Sequence, residues 1–377
     1  MATFNRFQKT GYDIATKSAG KVWPLIAQEY KTAMIQIGAD LDKVYARILA
    51  GVKPEDYYNT MLKYGRLDSL LKSTIKNYNE AAVHAGQLQI NASRVSINNS
   101  YYLQQYATNF ALSADTFTAM SNNVVKISVA GTPKVWADIT KDAREKMTAT
   151  FGNLNTYQPQ YGTLTDVLTN NRNITAAKIK SIVNQGMIQG RSASQVARDL
   201  RKTFNTTINS AERIFITENH RNRALGDWAN YNQSQSIGLE LWREIVSTLD
   251  SRTRAQSAKV DGRLDKDGTG FRYPNGTKYL VPGSTGVPAY DIRDRERTIQ
   301  VIPGEDGDEL RRGRDPVKSA NWEKATAAER KARKLSDGTQ IYPRSEQTDV
   351  FSYGNFPEWA KSHGLRKNVY GELLPVN

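Results

Sequence analysis

In the first third of the chain, apolar residues recur three and four positions apart. Leu41, Val44, Tyr45, Ile48 and Leu49 form one stripe, and Leu62, Leu67, Leu70, Leu71 and Ile75 form a second. This is the period of an α-helix that buries one face. Gly51 and Pro54 lie between the runs, and a proline shortly after a glycine punctuates two helices, so the pattern predicts a helical hairpin. Over 81–123 the stripe gives way to Asn, Gln, Ser and Tyr. That change predicts long polar helices with a solvated face, or segments that meet partners. Residues 152–173 have the Asn, Thr, Gly, Tyr and Pro content of a connecting loop.

Helix signals are densest just beyond that loop. Thr175 stands ahead of Ile179, Ile182 and Val183, and the run closes near Gly186 and Gly190. Ser192 with Gln195 three positions on makes a capping box before Val196, Ala197 and Leu200. Asn209 and Glu212 repeat the arrangement ahead of Ile214, Phe215, Ala224, Leu225 and Trp228, which predicts three consecutive capped helices. After Gly238 the residues Leu239, Leu241, Glu244 and Val246 fit a short strand. Turn formers at Asp261-Gly262, Asp267-Gly268, Pro274-Asn275-Gly276 and Pro282-Gly283 leave room only for further short strands, over 278–281 and 298–302.

The expected architecture is mainly α with a small α+β unit. It comprises a helical N-terminal region over 1–150, a linker over 151–173, helices over 174–237 and a short-stranded α+β unit over 238–304. Residues 305–377 complete it as a basic linker and an extended C-terminal tail. The tail holds Tyr342, Phe351, Tyr353, Phe356, Trp359, Val369 and Tyr370, an aromatic supply that predicts docking on its own chain or on a neighbour.

Composition narrows the function. The 377 residues contain 52 Lys+Arg against 38 Asp+Glu, a formal net charge of +14, and such a balance favours polyanionic partners. Arg311, Arg312, Arg314, Lys331, Arg333 and Lys334 concentrate it, diluted by Glu309, Asp315, Glu323 and Glu329. Contact of these residues with DNA phosphates would be salt-sensitive and independent of sequence. With Cys 0, thiolate nucleophiles, disulfides and Cys-based zinc or iron-sulfur sites are excluded. No apolar stretch reaches the roughly 18 residues of a spanning helix, and no signal-peptide pattern opens the chain, so membrane insertion is not expected.

Catalytic patterns do not assemble. His84, His220 and His363 stand far apart, as surface or helix-face residues do. Counting an EF-hand loop from Asp265 places Gly276 where the bidentate Glu belongs. Gly268 and Gly270 begin a G-x-G, but Tyr273 holds the third glycine position, and no G-x-S-x-G elbow occurs. No catalytic residue, metal site or cofactor is assigned.

An ordered series of short signatures remains. Gly186 to Arg198 sets a glycine and a capping serine ahead of an apolar-basic helix. Thr217-Glu218 follows, with Ala224 and Gly226. Trp242 then leads a strand into Asp250 and the turn Arg252-Thr253-Arg254, continuing to Asp261-Gly262, the Pro274–Gly276 turn, Pro282-Gly283 and the strand at 298–303. In this order and spacing, residues 174–303 resemble the Mu F-like phage head morphogenesis family. The resemblance implies a non-enzymatic minor head protein of a tailed phage, present in the virion head and in the host cytoplasm during assembly. It implies the portal or major capsid protein as partners and packaged double-stranded DNA as a contact. Arg252 and Arg254 would then either clamp an irregular loop or face that DNA.

The chain departs from the family pattern where relatives place a His and a Cys-x-Cys. Ser257, Asp294 and Glu296 stand there, so a zinc-like site is expected to be lost, and the neighbouring arginines favour ion pairs over a hard cation. Two rival functions stay open. One is a metal-dependent DNA-processing enzyme using Asp250, Asp261, Asp294 and Glu296, and the other is a nonstructural DNA-binding protein of the infected cell.

Overall fold

Long helices dominate the computed structural model, which describes residues 2–112, 116–120, 164–248, 253–303, 326, 328 and 356–376. Helices α1 (Ala2–Gly20) and α2 (Trp23–Arg47) come first. A 3-10 turn at Pro54–Asp56 leads into α3 (Tyr57–Lys63) and α4 (Arg66–Ala111), and α5 (Leu164–Ile188) and α6 (Ala193–Ser236) follow. Short elements come next: β1 (Trp242–Val246), α7 (Ala255–Val260), β2 (Leu264–Asp265), β3 (Phe271–Arg272), β4 (Lys278–Tyr279), α8 (Pro288–Asp291) and β5 (Arg297–Val301). A final α9 (Phe356–Ser362), β6 (Leu365–Lys367) and β7 (Leu373–Pro375) end the described chain. The fold is mainly α with small antiparallel sheets, as the apolar pattern predicts.

The chain groups into two units, each built from separated segments. The first is Met1–Gly20, Ser93–Tyr161 and Ile216–Asn377; the second is Lys21–Ala92 and Gly162–Phe215.

In the second unit α2 buries Ile26, Tyr30, Ala33, Ile37 and Leu41 at helical spacing. These pack with Leu70 and Tyr78 of α4, Ile179 and Val183 of α5, and Leu200 and Phe204 of α6 in one apolar core. The break at Gly51 and Pro54 is present, with Gly51 at φ 76. Gly65, at φ 60, adds a second break that splits the predicted second run between α3 and α4. The Ser192 capping box also forms: Gln195 Oε1 accepts the Ser192 backbone N–H at 2.8 Å, and Ser192 Oγ accepts that of Gln195 at 3.4 Å.

The other two predicted caps do not form. Thr175 lies inside α5, where its buried hydroxyl meets that of Thr207 at 3.3 Å. Residues 164–173, expected in the linker, are the opening turns of that helix. Asn209 and Glu212 lie inside the single helix α6, because no glycine or proline between 193 and 225 stops it and cap-type residues are tolerated in a helix whose opposite face is buried.

In the first unit the sheet order is β2-β1-β5, antiparallel throughout, with Trp242 opposite Val301 and Arg243 opposite Asp265. From α1, Gln8 pairs with the backbone of Gln300, donating to its carbonyl at 2.9 Å and accepting its N–H at 2.7 Å. The polar run predicted to be solvated is instead buried. Ser93, Ser96, Asn98, Asn99, Ser100, Gln104, Thr108 and Asn109 of α4 all lie inside. Their short polar groups find partners remote in sequence: Ser96 donates to Asn219 at 2.6 Å and Ser100 to Asp227 at 2.5 Å.

The aromatic tail docks on its own chain. Rings of Phe356 and Trp359 lie 5.4 Å from that of Tyr106. Glu372 accepts from Asn98 at 2.6 Å and Arg94 at 3.2 Å, so residues 356–376 form a helix and hairpin where an extended tail was expected. Tyr342, Phe351 and Tyr353 lie outside the described residues, as do 113–115, 121–163 and the basic cluster from Arg311 to Lys334. Among the described residues, no helix is long and apolar enough to cross a membrane.

Candidate functional site

Helix α6 turns Thr217 and His220 toward the loop 285–296 of the first unit. Asp291, at the end of α8, shapes that loop: its carboxylate accepts the backbone N–H of Thr285 at 2.9 Å and of Gly286 at 2.8 Å. Arg293 follows with φ 53, a conformation unusual for a residue with a side chain, and its backbone N–H is held by Thr217 Oγ at 3.1 Å. The Thr-Glu signature therefore supports an irregular loop remote in sequence. Glu218 beside it pairs with Arg221.

Arg254 secures the same loop from the other side. Its guanidinium donates to the carbonyls of Tyr290 and Ile292 and lies 3.9 Å from Asp294 Oδ1. Thr253 donates to the Thr248 carbonyl. Asp261 accepts the Ser247 N–H at 2.9 Å, and Gly262, at φ 80, donates to the Ile245 carbonyl at 2.8 Å. Trp242 lies under the Lys266 ammonium at 4.2 Å. These signature residues, scattered over 217–262, converge on one strand-turn-loop scaffold. Asp250 and Arg252 lie outside the described residues.

Beyond Asp291, the other two acidic residues of the loop, Asp294 and Glu296, are also buried. Asp294 Oδ1 accepts the backbone N–H of Arg295 at 2.7 Å, and Oδ2 faces His220 Nε2 at 3.6 Å. His220, expected as a surface or helix-face residue, lies on a helix face but is buried, with Nδ1 3.1 Å from the Tyr12 hydroxyl. Arg223 donates to the same hydroxyl at 3.1 Å. Glu296 accepts the hydroxyls of Tyr273 at 2.7 Å and Tyr279 at 3.1 Å. Burial, and then the like charge of Asp294, push the Glu296 carboxyl up to about 7. Burial raises both tyrosine hydroxyls well above their ordinary range, with the Glu296 charge adding to it.

A cavity of about 40 Å³ lies here, lined by Ser257, Arg254, Asp294 and Glu296 among others. It has room for water molecules, not for an organic substrate.

Ser257, Asp294 and Glu296 line this one cavity, but they do not fit a zinc centre. Structural zinc centres are closed by thiolate and imidazole donors, whereas both Glu296 oxygens accept tyrosine hydroxyls and Asp294 lies between His220 and Arg254. Among the described residues, no group of three or more His, Asp or Glu is arranged to hold a metal ion. A chelator such as EDTA is accordingly expected to leave the thermal midpoint of the purified chain unchanged; a fall of several degrees would reveal a structural metal.

A further buried carboxylate, Asp227, has no sequence signature and was missed. Burial pushes it up from 3.8 to about 7, against the opposing Ser100 hydrogen bond and the charges of Arg223 and Arg297. Because the folded value exceeds the unfolded one, its stabilising contribution is complete below about pH 4 and is lost as pH rises toward 7, by about 1.4 kcal/mol per pH unit. Glu296 acts in the same direction. Asp227→Asn, which keeps an acceptor toward Ser100, is expected to flatten the fall in thermal midpoint between about pH 5 and pH 7. Identical pH slopes for variant and native chain would refute this.

Residues 177–278 match the family model described as Phage Mu protein F like protein. The chain is 26% identical over 273 residues to the minor head protein GP7 of Bacillus phage SPP1, covering 70% of this chain and 82% of that one. It is also 24% identical over 136 residues to the NAD(+)--arginine ADP-ribosyltransferase EFV of Enterococcus faecalis, covering 35% of this chain and 27% of that protein. No solved structure matches the chain.

Proposed function

We propose, for a chain that belongs through residues 177–278 to the Mu F-like family of minor head proteins, a structural role in the head of a tailed phage. The observation that carries this reading is the alignment with a phage minor head protein over 82% of that protein's length. The geometry supports binding rather than catalysis. Thr217, Arg254, Asp261 and Asp291 direct their polar groups at backbone N–H and C=O groups, and the cavity beside them holds only water-sized guests.

In this reading the protein occupies the portal vertex or head interior and contacts the portal or major capsid protein. It is made and assembled in the host cytoplasm. The Arg311, Arg312, Arg314, Lys331, Arg333 and Lys334 cluster faces packaged DNA, and deleting 311–334 weakens DNA binding at low salt without unfolding the rest. Arg254 is assigned to the loop, since its donors already meet two carbonyls.

Mass spectrometry of purified virions tests the role. A low, fixed ratio of this protein to the major capsid protein supports it, and absence from finished particles overturns it. Incubating the purified chain with NAD and an arginine-rich acceptor separates the structural reading from a transferase one, because release of nicotinamide would contradict a purely structural protein.

A further inference from the structure

The second unit contains a cavity of about 170 Å³ between α5 and α6. Asn171, Thr175 and Lys178 of α5 line one wall; Lys202, Thr203 and Ser210 of α6, among others, line the facing one. Residues 171, 174, 175 and 178 share one helical face, as do 202, 203, 206, 207 and 210. The groove therefore follows the seam of the helix pair for about 10 Å, seven residues at 1.5 Å each.

Its chemistry is one-sided. No carboxylate lines it. Lys178 and Lys202 are exposed at one end, and at the other Arg213 lies 3.4 Å from the Ser210 hydroxyl. Lys202 has Asp199 only at 3.9 Å, and that carboxylate is held more closely by Arg191, at 2.5 Å. Lys178 makes no ion pair among the described residues. Between the charged ends lie an amide and hydroxyls, groups that donate to oxyanions without adding negative charge. The hydroxyls of Thr206 and Thr207 donate to the carbonyls of Lys202 and Thr203 in their own helix, so the ammonium groups, Asn171 and Thr203 are the donors on offer.

From this juxtaposition we infer that the α5–α6 groove is a receptor for phosphate groups, either those of a nucleic-acid backbone or free phosphate. Two cationic ends joined by neutral donors fit successive phosphates of a chain better than one carboxylate, and contacts to phosphates carry no sequence information. The inference rests neither on the 311–334 cluster nor on the head role.

The test uses the full chain. Binding of a labelled random-sequence DNA duplex is measured by fluorescence anisotropy across a salt series for the native chain, for Lys178→Ala/Lys202→Ala, and for Lys31→Ala/Lys43→Ala. The last pair removes the same charge from exposed positions of α2 outside the groove. The groove variant is expected to bind roughly tenfold more weakly at low salt and to lose about 2 from the slope of log K against log salt, while the control keeps its slope. In a parallel arm, thermal midpoints are compared in inorganic phosphate and in chloride of equal ionic strength. If DNA binding of the groove variant follows the control but phosphate raises the midpoint of the native chain and not of that variant, the groove takes free phosphate. If neither readout separates the groove variant from the control, the inference is overturned.

Discussion

Asp265→Ala is expected to destabilise the protein by about 3–5 kcal/mol, because it strands a buried guanidinium without its counter-charge. Arg243 and Asp265 face each other across β1 and β2, and both side chains are 1% exposed. Arg243 Nε donates to Asp265 Oδ2 at 2.9 Å, a second nitrogen donates to the same oxygen, and the third reaches the Leu280 carbonyl at 3.0 Å. The rings of Tyr231 and Phe271 lie 5.2 Å from the guanidinium carbon, which leaves no route for water to replace the carboxylate. A chemical-denaturation curve should show the loss directly, and the thermal midpoint should fall on the order of 10 °C. The double variant Arg243→Met/Asp265→Leu is expected to recover most of that loss, since two apolar side chains need no pairing. A single variant that loses less than about 1 kcal/mol would mean the pair is solvated and the argument wrong.

Gly226→Ala should produce the second large effect, through backbone and not charge. A Cβ at this position of α6 would lie 2.4 Å from the Ile97 carbonyl oxygen, 2.8 Å from Ser100 Cβ and 3.1 Å from the Tyr101 nitrogen. Two of these three are backbone atoms of α4 and cannot turn aside. Overpacking of this kind costs about 1–3 kcal/mol, more than the roughly 1 kcal/mol that alanine gains over glycine in a helix. Forced separation would also stretch the Ser96–Asn219 and Ser100–Asp227 hydrogen bonds. Gly38→Ala in α2 is the matched control, because nothing lies within 4 Å of its added Cβ, and it should stabilise by about 0.5–1 kcal/mol. If both substitutions change stability in the same direction, the close approach of α4 and α6 is not what position 226 requires.

Position 226 also shows where sequence pattern succeeds. Gly226 stands in the ordered signature series, and that series located a scaffold whose parts meet in space: Thr217 under the Arg293 amide, Arg254 across the same loop, Asp261 on the Ser247 amide. Apolar periodicity located α2 and α4, because a stripe at three and four reports directly which face is buried, and dense turn formers bounded the short strands β1 and β5. The Ser192 capping box was legible for the same local reason, as both of its partners lie within three residues.

What sequence could not determine is whether a polar residue is buried. The polar run of α4 reads identically on a solvated helix and in a polar interface, and the difference lies in Asn219, Asp227 and Asn230, more than a hundred residues away. The burial of His220, a helix-face residue, was illegible for that reason too: its partners Tyr12 and Asp294 lie on other elements. Helix ends at Thr175 and Asn209 failed because a cap residue is only a permission to start, which a buried stripe running through it overrides. Sequence by itself therefore determined the helical class, the strands at 242–246 and 297–301 and the Ser192 cap, all of which depend on near neighbours in the chain. Tertiary structure alone decided which polar groups are desolvated and paired, because desolvation depends on whatever the fold brings alongside.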